Sequence, residues 1–283
     1  MKAYVSAKII SQERNGGIFT MRLLAPEVAQ YAKPGQFVMV YMDKGEHLLP
    51  RPISLYDVDK AEGVISLVYI IAGAGTKIMT EWPAGHAVRL LGPIGNGFNM
   101  NISPGKRVAL VGGGFGAAPL YYLARELGKK GVQMDVFLGF RKDTPSLTRV
   151  FAELTENLYV ATEEAVEDKK AAIEDKEAAQ NFQLVANSNQ LKINSPILRQ
   201  GFVTDLLPQS PAFSAILSCG PAPMLKSLAA YAHSHNIPCQ VSVEERMACG
   251  LGACKGCVVK TLVGYRLCCT AGPVFDSKEV IFS

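Results

Sequence analysis

A run of cysteines near the C-terminal end limits what this chain can fold into more than any other feature. Cys249, Cys254 and Cys257 are separated by four and two residues, and Cys269, with Cys268 beside it, follows after eleven more. None of the seven cysteines lies before Cys219, and five fall between Cys249 and Cys269. An odd number clustered in this way does not read as the disulfide framework of a secreted domain. It reads as a ligand set. Four thiolates can hold a [2Fe–2S] core, and C-x4-C-x2-C with one distant cysteine is the plant-type ferredoxin spacing. Small residues separate the first three cysteines, in the run Cys249-Gly-Leu-Gly-Ala-Cys254-Lys-Gly-Cys257. A loop that bends around an inorganic core and aims N–H groups at its sulfurs has no room for large side chains. The competing use of four cysteines is structural zinc. Zinc sites set their ligands as two short knuckles of C-x2-C type, and here there is one knuckle, one longer gap and one return. Adjacent residues on a strand point to opposite sides, so one of Cys268 and Cys269 faces the core; the spacing does not choose between them.

The rest of the chain divides by its hydrophobic pattern. Residues 1–102 carry six short segments rich in Val, Ile, Leu and Tyr: Val5–Ile10, Phe19–Leu24, Gln36–Tyr41, Ile53–Asp57, Val64–Ile71 and Ala87–Leu91. Gly, Pro, Asp or Asn lie between them, and Asn15-Gly16-Gly17 is a tight-turn sequence. Six strands with no obvious helix predict a closed antiparallel barrel, which has no exposed edge. From 103 to 243 the pattern alternates. Strands are expected at Val108–Val111, Val136–Gly139, Leu158–Ala161, Ala215–Ser218 and Gln240–Val243, and helices at Ala117–Lys130, Ser146–Thr155, Val203–Leu207 and Pro223–His235. That is the signature of a parallel sheet covered on both faces. An insertion at 163–199 interrupts it; its first part, Glu163–Glu177, holds seven acidic and three basic residues and reads as solvated, with a small hairpin expected at Asn181–Ser195. Residues 244–283 form a third unit with too few apolar residues for a core of their own, so a metal group is expected to hold it.

Two strand ends in the second unit have the composition of a nucleotide site. Gly112, Gly114 and Gly116 follow an apolar strand and open a helix, the context in which backbone N–H groups hold phosphate. Cys219-Gly220-Pro221 sits at a second strand end, where small residues let a flat ring approach the backbone. Asp135 has the spacing of a ribose-binding acid but lies at the start of its strand, the wrong end of a parallel sheet, and is not assigned that role. Arg141 follows the same strand at the ligand-binding end. In the first unit, Arg51-Pro52-Ile53-Ser54 holds an arginine and a hydroxyl at a strand start, and Gly73, Gly75 and Thr76 follow a strand end. A guanidinium there can neutralise a diphosphate and donate two parallel hydrogen bonds. Gly92-Pro93-Ile-Gly95-Asn96-Gly97-Phe98 is a third compact turn series. None of the four histidines, His47, His86, His233 and His235, pairs with an acid and a serine or joins a metal set.

The net charge of +4, from 29 basic and 25 acidic residues, is too small to argue for nucleic acid or an anionic membrane surface. The uncharged run Val108–Ala124 is 17 residues long and is broken by four glycines and a proline; a membrane span needs about 20 apolar residues. The N-terminus alternates like a strand and lacks a signal-peptide core. A soluble, cytoplasmic protein is expected.

Taken together, these motifs resemble the electron-transfer subunits of the NAD-linked, two-subunit dihydroorotate dehydrogenases, within the wider ferredoxin-reductase family. Arg51-Pro-Ile-Ser54 is similar to that family's flavin-binding strand, Tyr69–Thr76 to its second flavin segment, and Gly92–Phe98 to the turn that ends its barrel. Gly112–Pro119 and Cys219-Gly-Pro221 are similar to its nicotinamide side. Glu244-Glu245-Arg246-Met247-Ala248-Cys249-Gly250 and Cys269-Thr-Ala-Gly272-Pro273-Val274-Phe275 are the most specific matches, and the second favours Cys269 as fourth ligand. The resemblance implies a flavin-binding barrel, an NAD-binding α/β domain and a [2Fe–2S] subdomain. It implies FAD, NAD and the cluster as an electron relay, and an FMN-containing catalytic partner in a heterotetramer of two of each chain. Two departures stand out: the insertion at 163–199, which replaces a glycine-rich turn, and Ile70, where related chains carry a basic residue. The competing readings are another NAD(P)-dependent flavin and iron–sulfur reductase, with a ferredoxin, sulfur or hydrogenase partner, and a zinc-bearing scaffold without redox activity.

Overall fold

Alternation of side chains builds the first unit. Along β1 (Ala3–Asn15), Ala7 and Ile9 point inward while Lys8 and Ile10 face out, and along β2 (Ile18–Leu24) Phe19, Met21 and Leu23 are buried. With β3 (Phe37–Val40), β4 (Arg51–Asp59), β5 (Val64–Ile70) and β6 (Ala87–Ile94) these strands close an antiparallel barrel in the order β1-β2-β5-β4-β3-β6. Met21, Leu23, Leu55, Ile65, Leu67 and Leu90 fill it. The structure, a computed structural model, describes residues 2–42, 49–142, 144–155, 157–164 and 196–282. The hairpin expected at Asn181–Ser195, most of the acidic insertion and His47 lie outside them.

The barrel unit also carries two short helices that the strand pattern does not announce, α1 (Pro26–Ala29) and α2 (Ala74–Met79). The second exists because the Thr76 hydroxyl accepts hydrogen bonds from the N–H groups of Ala72 at 2.8 Å and Gly73 at 3.2 Å. The Gly73–Thr76 segment is therefore a helix start, not a plain turn.

The second unit alternates as expected: β7 (Arg107–Gly113), α3 (Ala118–Lys129), β8 (Gln133–Phe140), α4 (Pro145–Ala152), β9 (Asn157–Thr162), β10 (Ile197–Gln200), β11 (Ala215–Cys219), α5 (Ala222–Ser234) and β12 (Cys239–Ser242). With β15 (Val274–Asp276) at its edge, the sheet order is β10-β9-β8-β7-β11-β12-β15, parallel throughout except at that last strand. Val108 and Leu110 face α3 and α4, while Ala109 and Val111 face α5, so both sides of β7 are buried. The segment expected as a helix at Val203–Leu207 is one tight turn, Val203–Leu206.

Two strands were not legible. β10 falls within the residues assigned to the insertion; all four of its side chains are exposed, so it has no apolar rhythm, and backbone pairing with β9 alone makes it a strand. The other is β15 (Val274–Asp276), which leaves the cysteine unit and adds an antiparallel edge to β12. Before it come the hairpin β13 (Val258–Thr261) and β14 (Gly264–Leu267) and a single helical turn, α6 (Cys268–Ala271). Cys268 and Cys269 thus lie on a helical turn, not on a strand. Residues 244–283 are not topologically separate, because β15 belongs to the sheet of the second unit. Among the described residues no helix is long and apolar enough to cross a membrane.

Phe275 sits in the core shared by the cysteine unit and barrel strands β3 and β6, and is 4% exposed. Phe275→Ala should cost about 3–5 kcal/mol. Hydrogen exchange should show the loss first in β15 and α6, with the β1–β2 hairpin protected as before.

Candidate functional site

The parallel sheet runs outward in one direction from β7 through β8, β9 and β10, and β11 then returns to the other side of β7. A crevice at the carboxyl ends of β7 and β11 is therefore fixed by topology, and ligands of open α/β sheets collect at such points. Gly112–Gly116 and Cys219–Pro221 meet there. A Cβ on Gly116 would stand 2.5 Å from the Cys219 carbonyl oxygen, so the turn after β7 can lie against the end of β11 only without a side chain. Gly220 lies against Gly113 in the same way. Gly114 has φ of +54° and open space around it.

This crevice opens into a cleft of about 430 Å3 bounded by all three units. The barrel supplies Phe37, Arg51, Pro52, Ile53, Ser54, Tyr69, Ile70 and Thr76; the nucleotide side supplies Phe115, Pro119 and Cys219; the approach to the cysteine loop supplies Ser242, Glu244, Met247 and Pro273. Arg51 packs its guanidinium against Gly75, where any Cβ would overlap the Nε atom, and Nη1 donates to the Leu49 carbonyl at 2.6 Å. Gly73 precedes α2 in the same turn. The Tyr69 hydroxyl donates to Gln12 Oε1 at 2.7 Å, and burial raises its pKa. Burial pushes the Cys219 thiol up to about 12 even though the Ser242 side chain hydrogen-bonds to it, and it raises the Glu244 carboxyl. Both groups are therefore biased toward their neutral forms.

The cysteine loop packs on the barrel seam through Met39, Leu91 and Ile94. Its thiols form two pairs. Cys249 hydrogen-bonds with Cys254, and its sulfur accepts the backbone N–H groups of Leu251 at 3.4 Å and Cys254 at 3.5 Å; these donors bring it down to about 6. Cys269 pairs with Cys257, whose sulfur accepts the Cys269 N–H at 3.4 Å, and burial pushes Cys269 up to about 11. Cys268 points elsewhere: it is fully buried, its thiol donates to the Val243 carbonyl at 3.5 Å, and desolvation raises its pKa. All seven cysteines are free. Among the described residues no three His, Cys, Asp or Glu side chains converge as a single-ion site. Two thiol pairs with N–H groups aimed at their sulfurs suit a core of two metal atoms, each taking one pair.

Of the residues singled out from the sequence, Arg51, Pro52, Ile53, Ser54, Tyr69, Thr76 and Cys219 thus line one cleft, and the exceptions are informative. Gly95–Phe98 lines a separate polar cleft of about 700 Å3 together with Lys33, Lys130 and Gln240. Its work is structural: Asn96 donates through its backbone to the Gly272 carbonyl at 2.5 Å and through Nδ2 to the Ala271 carbonyl at 2.9 Å. Asp135 pairs with Arg107 at 2.8 Å and accepts from Asn157, at the far end of the sheet. Arg141 lies 4.0 Å from Glu163 at the carboxyl end of β8 and is 86% exposed. His86 stacks on Trp82, and His235 contacts the Tyr231 and Gln209 carbonyls. Phe37, Ser242 and Met247 also line the cleft, and none of them stands out in the sequence as a lining residue. Ser242, at the carboxyl end of a parallel strand, had a signal; Phe37 looked like any core residue of a strand.

The model of the iron–sulfur cluster binding domain of dihydroorotate dehydrogenase B matches residues 244–281. The chain is 35% identical over 271 residues to the electron transfer subunit of dihydroorotate dehydrogenase B (NAD(+)) from Geobacillus sp. (strain WCH70), covering 93% of each chain. To the protein of the same name from Shouchella clausii (strain KSM-K16) it is 37% identical, covering 90% of this chain and 88% of the other. Among solved structures, that of an NADH-dependent reduced ferredoxin–NADP oxidoreductase superposes with a TM-score of 0.74 at 24% identity, over 98% of this chain and 90% of that one. A ferredoxin NADP+ reductase from Neisseria gonorrhoeae gives 0.52 at 16% identity, over 82% and 91%. These two likenesses establish the ferredoxin-reductase fold.

Gly116→Ala should push the β7 turn away from β11 and destabilise the protein by about 1–3 kcal/mol. Denaturant unfolding, compared with Gly114→Ala, checks this: Gly114 meets backbone strain but no neighbour, so it should be the milder change.

Proposed function

The chain belongs to the family of dihydroorotate dehydrogenase B electron-transfer subunits, and we propose on that premise that it carries electrons between NAD(H) and a catalytic partner that interconverts dihydroorotate and orotate in pyrimidine biosynthesis. The observation that carries this reading is the single cleft walled at once by the barrel, the nucleotide loop and the approach to the paired thiols. A hydride carrier and a one-electron outlet need a converter between them, and this cleft lies between their two sites. We assign FAD to it, NAD(H) to the crevice over β7 and β11, and a [2Fe–2S] cluster to Cys249, Cys254, Cys257 and Cys269. Bound flavin supplies the exchange between hydride and single electrons.

The chain's own residues bind, orient and insulate. Arg51 has N–H groups left for a diphosphate after its bond to Leu49, and the side-chain-free backbone at Gly73 and Gly75 lets phosphate approach. Pro52, Ile53, Ser54 and Tyr69 form the wall for a flat ring. Gly112, Gly114 and Gly116, with Gly220 and Pro221, keep the nucleotide side low enough for a second ring to reach the first. Burial keeps the Cys219 thiol protonated beside the rings and raises the Glu244 carboxyl from its ordinary range. Val243, Met247 and Pro273 line the cleft, and Val243 and Met247 also pack in the core that holds Cys257 and Cys269, keeping water out of the space between. Cys268, hydrogen-bonded to Val243, is left as a protonated structural thiol. A partner with FMN, in a complex of two of each chain, and a cytoplasmic location complete the reading; seven free thiols fit a reducing compartment.

Protein prepared without oxygen should hold FAD and about two irons and two sulfides per chain. Zinc at one per chain with no visible absorption would overturn the assignment. Cys269→Ser should abolish the cluster absorbance and Cys268→Ser should leave it; the opposite result would reverse the choice of ligand. Native co-purification should bring down an FMN protein that reduces orotate with NADH. A partner without orotate activity would instead place the chain with another NAD(P)-linked flavin and iron–sulfur reductase.

A further inference from the structure

Where the barrel meets the nucleotide unit, β4 packs against α3, and both elements begin in the cleft. Arg51–Ser54 open β4 and line it; Ala118 and Pro119 open α3 and line it from the opposite side. Behind the cleft α3 is fastened to the barrel three times, twice on β4 itself. Tyr122 of α3 is buried in the barrel core, and its hydroxyl donates to the Ala32 carbonyl at 3.3 Å. Tyr121 stacks on Tyr56 of β4 with ring centroids 4.7 Å apart and planes 11° from parallel. Arg125 Nη1 donates to both carboxylate oxygens of Asp57. From Ala118 to Arg125 is seven helical residues, and from Ser54 to Asp57 is three strand residues; at the usual rises both come to about 10 Å. The ion pair therefore crosses between the elements at equal depth behind their cleft-lining ends.

We propose that Asp57 and Arg125 are positioning residues for hydride transfer: their pair, beside the Tyr56–Tyr121 stack, sets the register of β4 against α3 and so the spacing of the two ring-binding walls. This rests on the function proposed above. The pair is poorly suited to be a stability device. Burial raises the Asp57 carboxyl although Arg125 and Lys129 lower it, so desolvation offsets the attraction. Tyr122, buried in the barrel core, joins the units independently of the pair. What the pair adds is direction. The ion pair ties one point of α3 to one point of β4, whereas stacked rings can slide over each other. Glu126 and Glu153 are the other acids that face this group, through Arg125 and the two tyrosines.

The test is anaerobic rapid mixing of NADH with the loaded protein, reading flavin bleaching. In Asp57→Asn, and in the double variant with Arg125→Gln that leaves no orphan charge, the limiting bleaching rate should fall about tenfold or more. The NADH concentration for half-maximal rate should stay within about twofold, because binding groups are untouched. FAD per chain and the cluster absorbance should equal those of the parent. Arg125→Lys, which keeps the charge but puts it on a flexible stem without the planar guanidinium, should lie between. Hydrogen exchange on flavin-stripped protein should show faster opening of β4 and α3 in Asp57→Asn. Parental bleaching in the variants would overturn the positioning role while leaving the function intact. A fall matched by lost FAD would also overturn it, reducing the pair to a structural one. A parent chain that NADH does not bleach would bring down the functional reading and this inference with it.

Discussion

Everything in the molecule depends on how residues 271–274 hold three units together. The Ala271 and Gly272 carbonyls accept hydrogen bonds from Asn96 at the end of the barrel, the Pro273 carbonyl accepts the Val243 N–H just past β12, and Val274 then enters the sheet opposite Ser242. A cysteine unit too small for its own core thereby borrows two cores. The same stretch puts Pro273 at the cleft and leaves Cys269 four residues away, among the paired thiols. Hydrogen bonds to main-chain carbonyls are a firm way to do this, since each unmet buried partner costs more than the bond returns.

The thiols show how one side chain is put to different uses by its surroundings. Cys249 is partly exposed and surrounded by N–H donors, which favour the thiolate. Cys219, Cys239 and Cys268 are buried with too few donors to offset desolvation, which favours the thiol. Cys268 and Cys269 are neighbours with similar burial, and only the direction of their sulfurs separates them: one reaches the Val243 carbonyl, the other the Cys257 sulfur.

Much of this was legible in the chain. Barrel strands such as β1 and β2 announced themselves because one face is wet, and β3, β7, β8 and β11 because they are apolar runs. The crevice over β7 and β11 was legible at Gly112–Gly116 because a turn that lies against a neighbouring strand end tolerates few side chains. Elements made by partners and not by their own residues were illegible. β10 exposes every side chain, β15 is three residues long, and α2 depends on one threonine hydroxyl. Gly95–Phe98 has the composition of a ligand turn, yet it serves as a joint between units, since glycine permits close approach to a carbonyl as well as to a phosphate.

The sequence by itself determined the units, their order and the chemistry each can hold, because spacing of cysteines, glycines and apolar residues is a local property that survives without a fold. Tertiary structure decided which of two adjacent cysteines turns toward the others, that Phe37, Ser242 and Met247 share a wall with Arg51, and that Asp57 meets Arg125. Those facts join residues from 12 to almost 200 positions apart. No local pattern encodes such meetings; they follow from strand order, helix direction and the burial that brings the three units together.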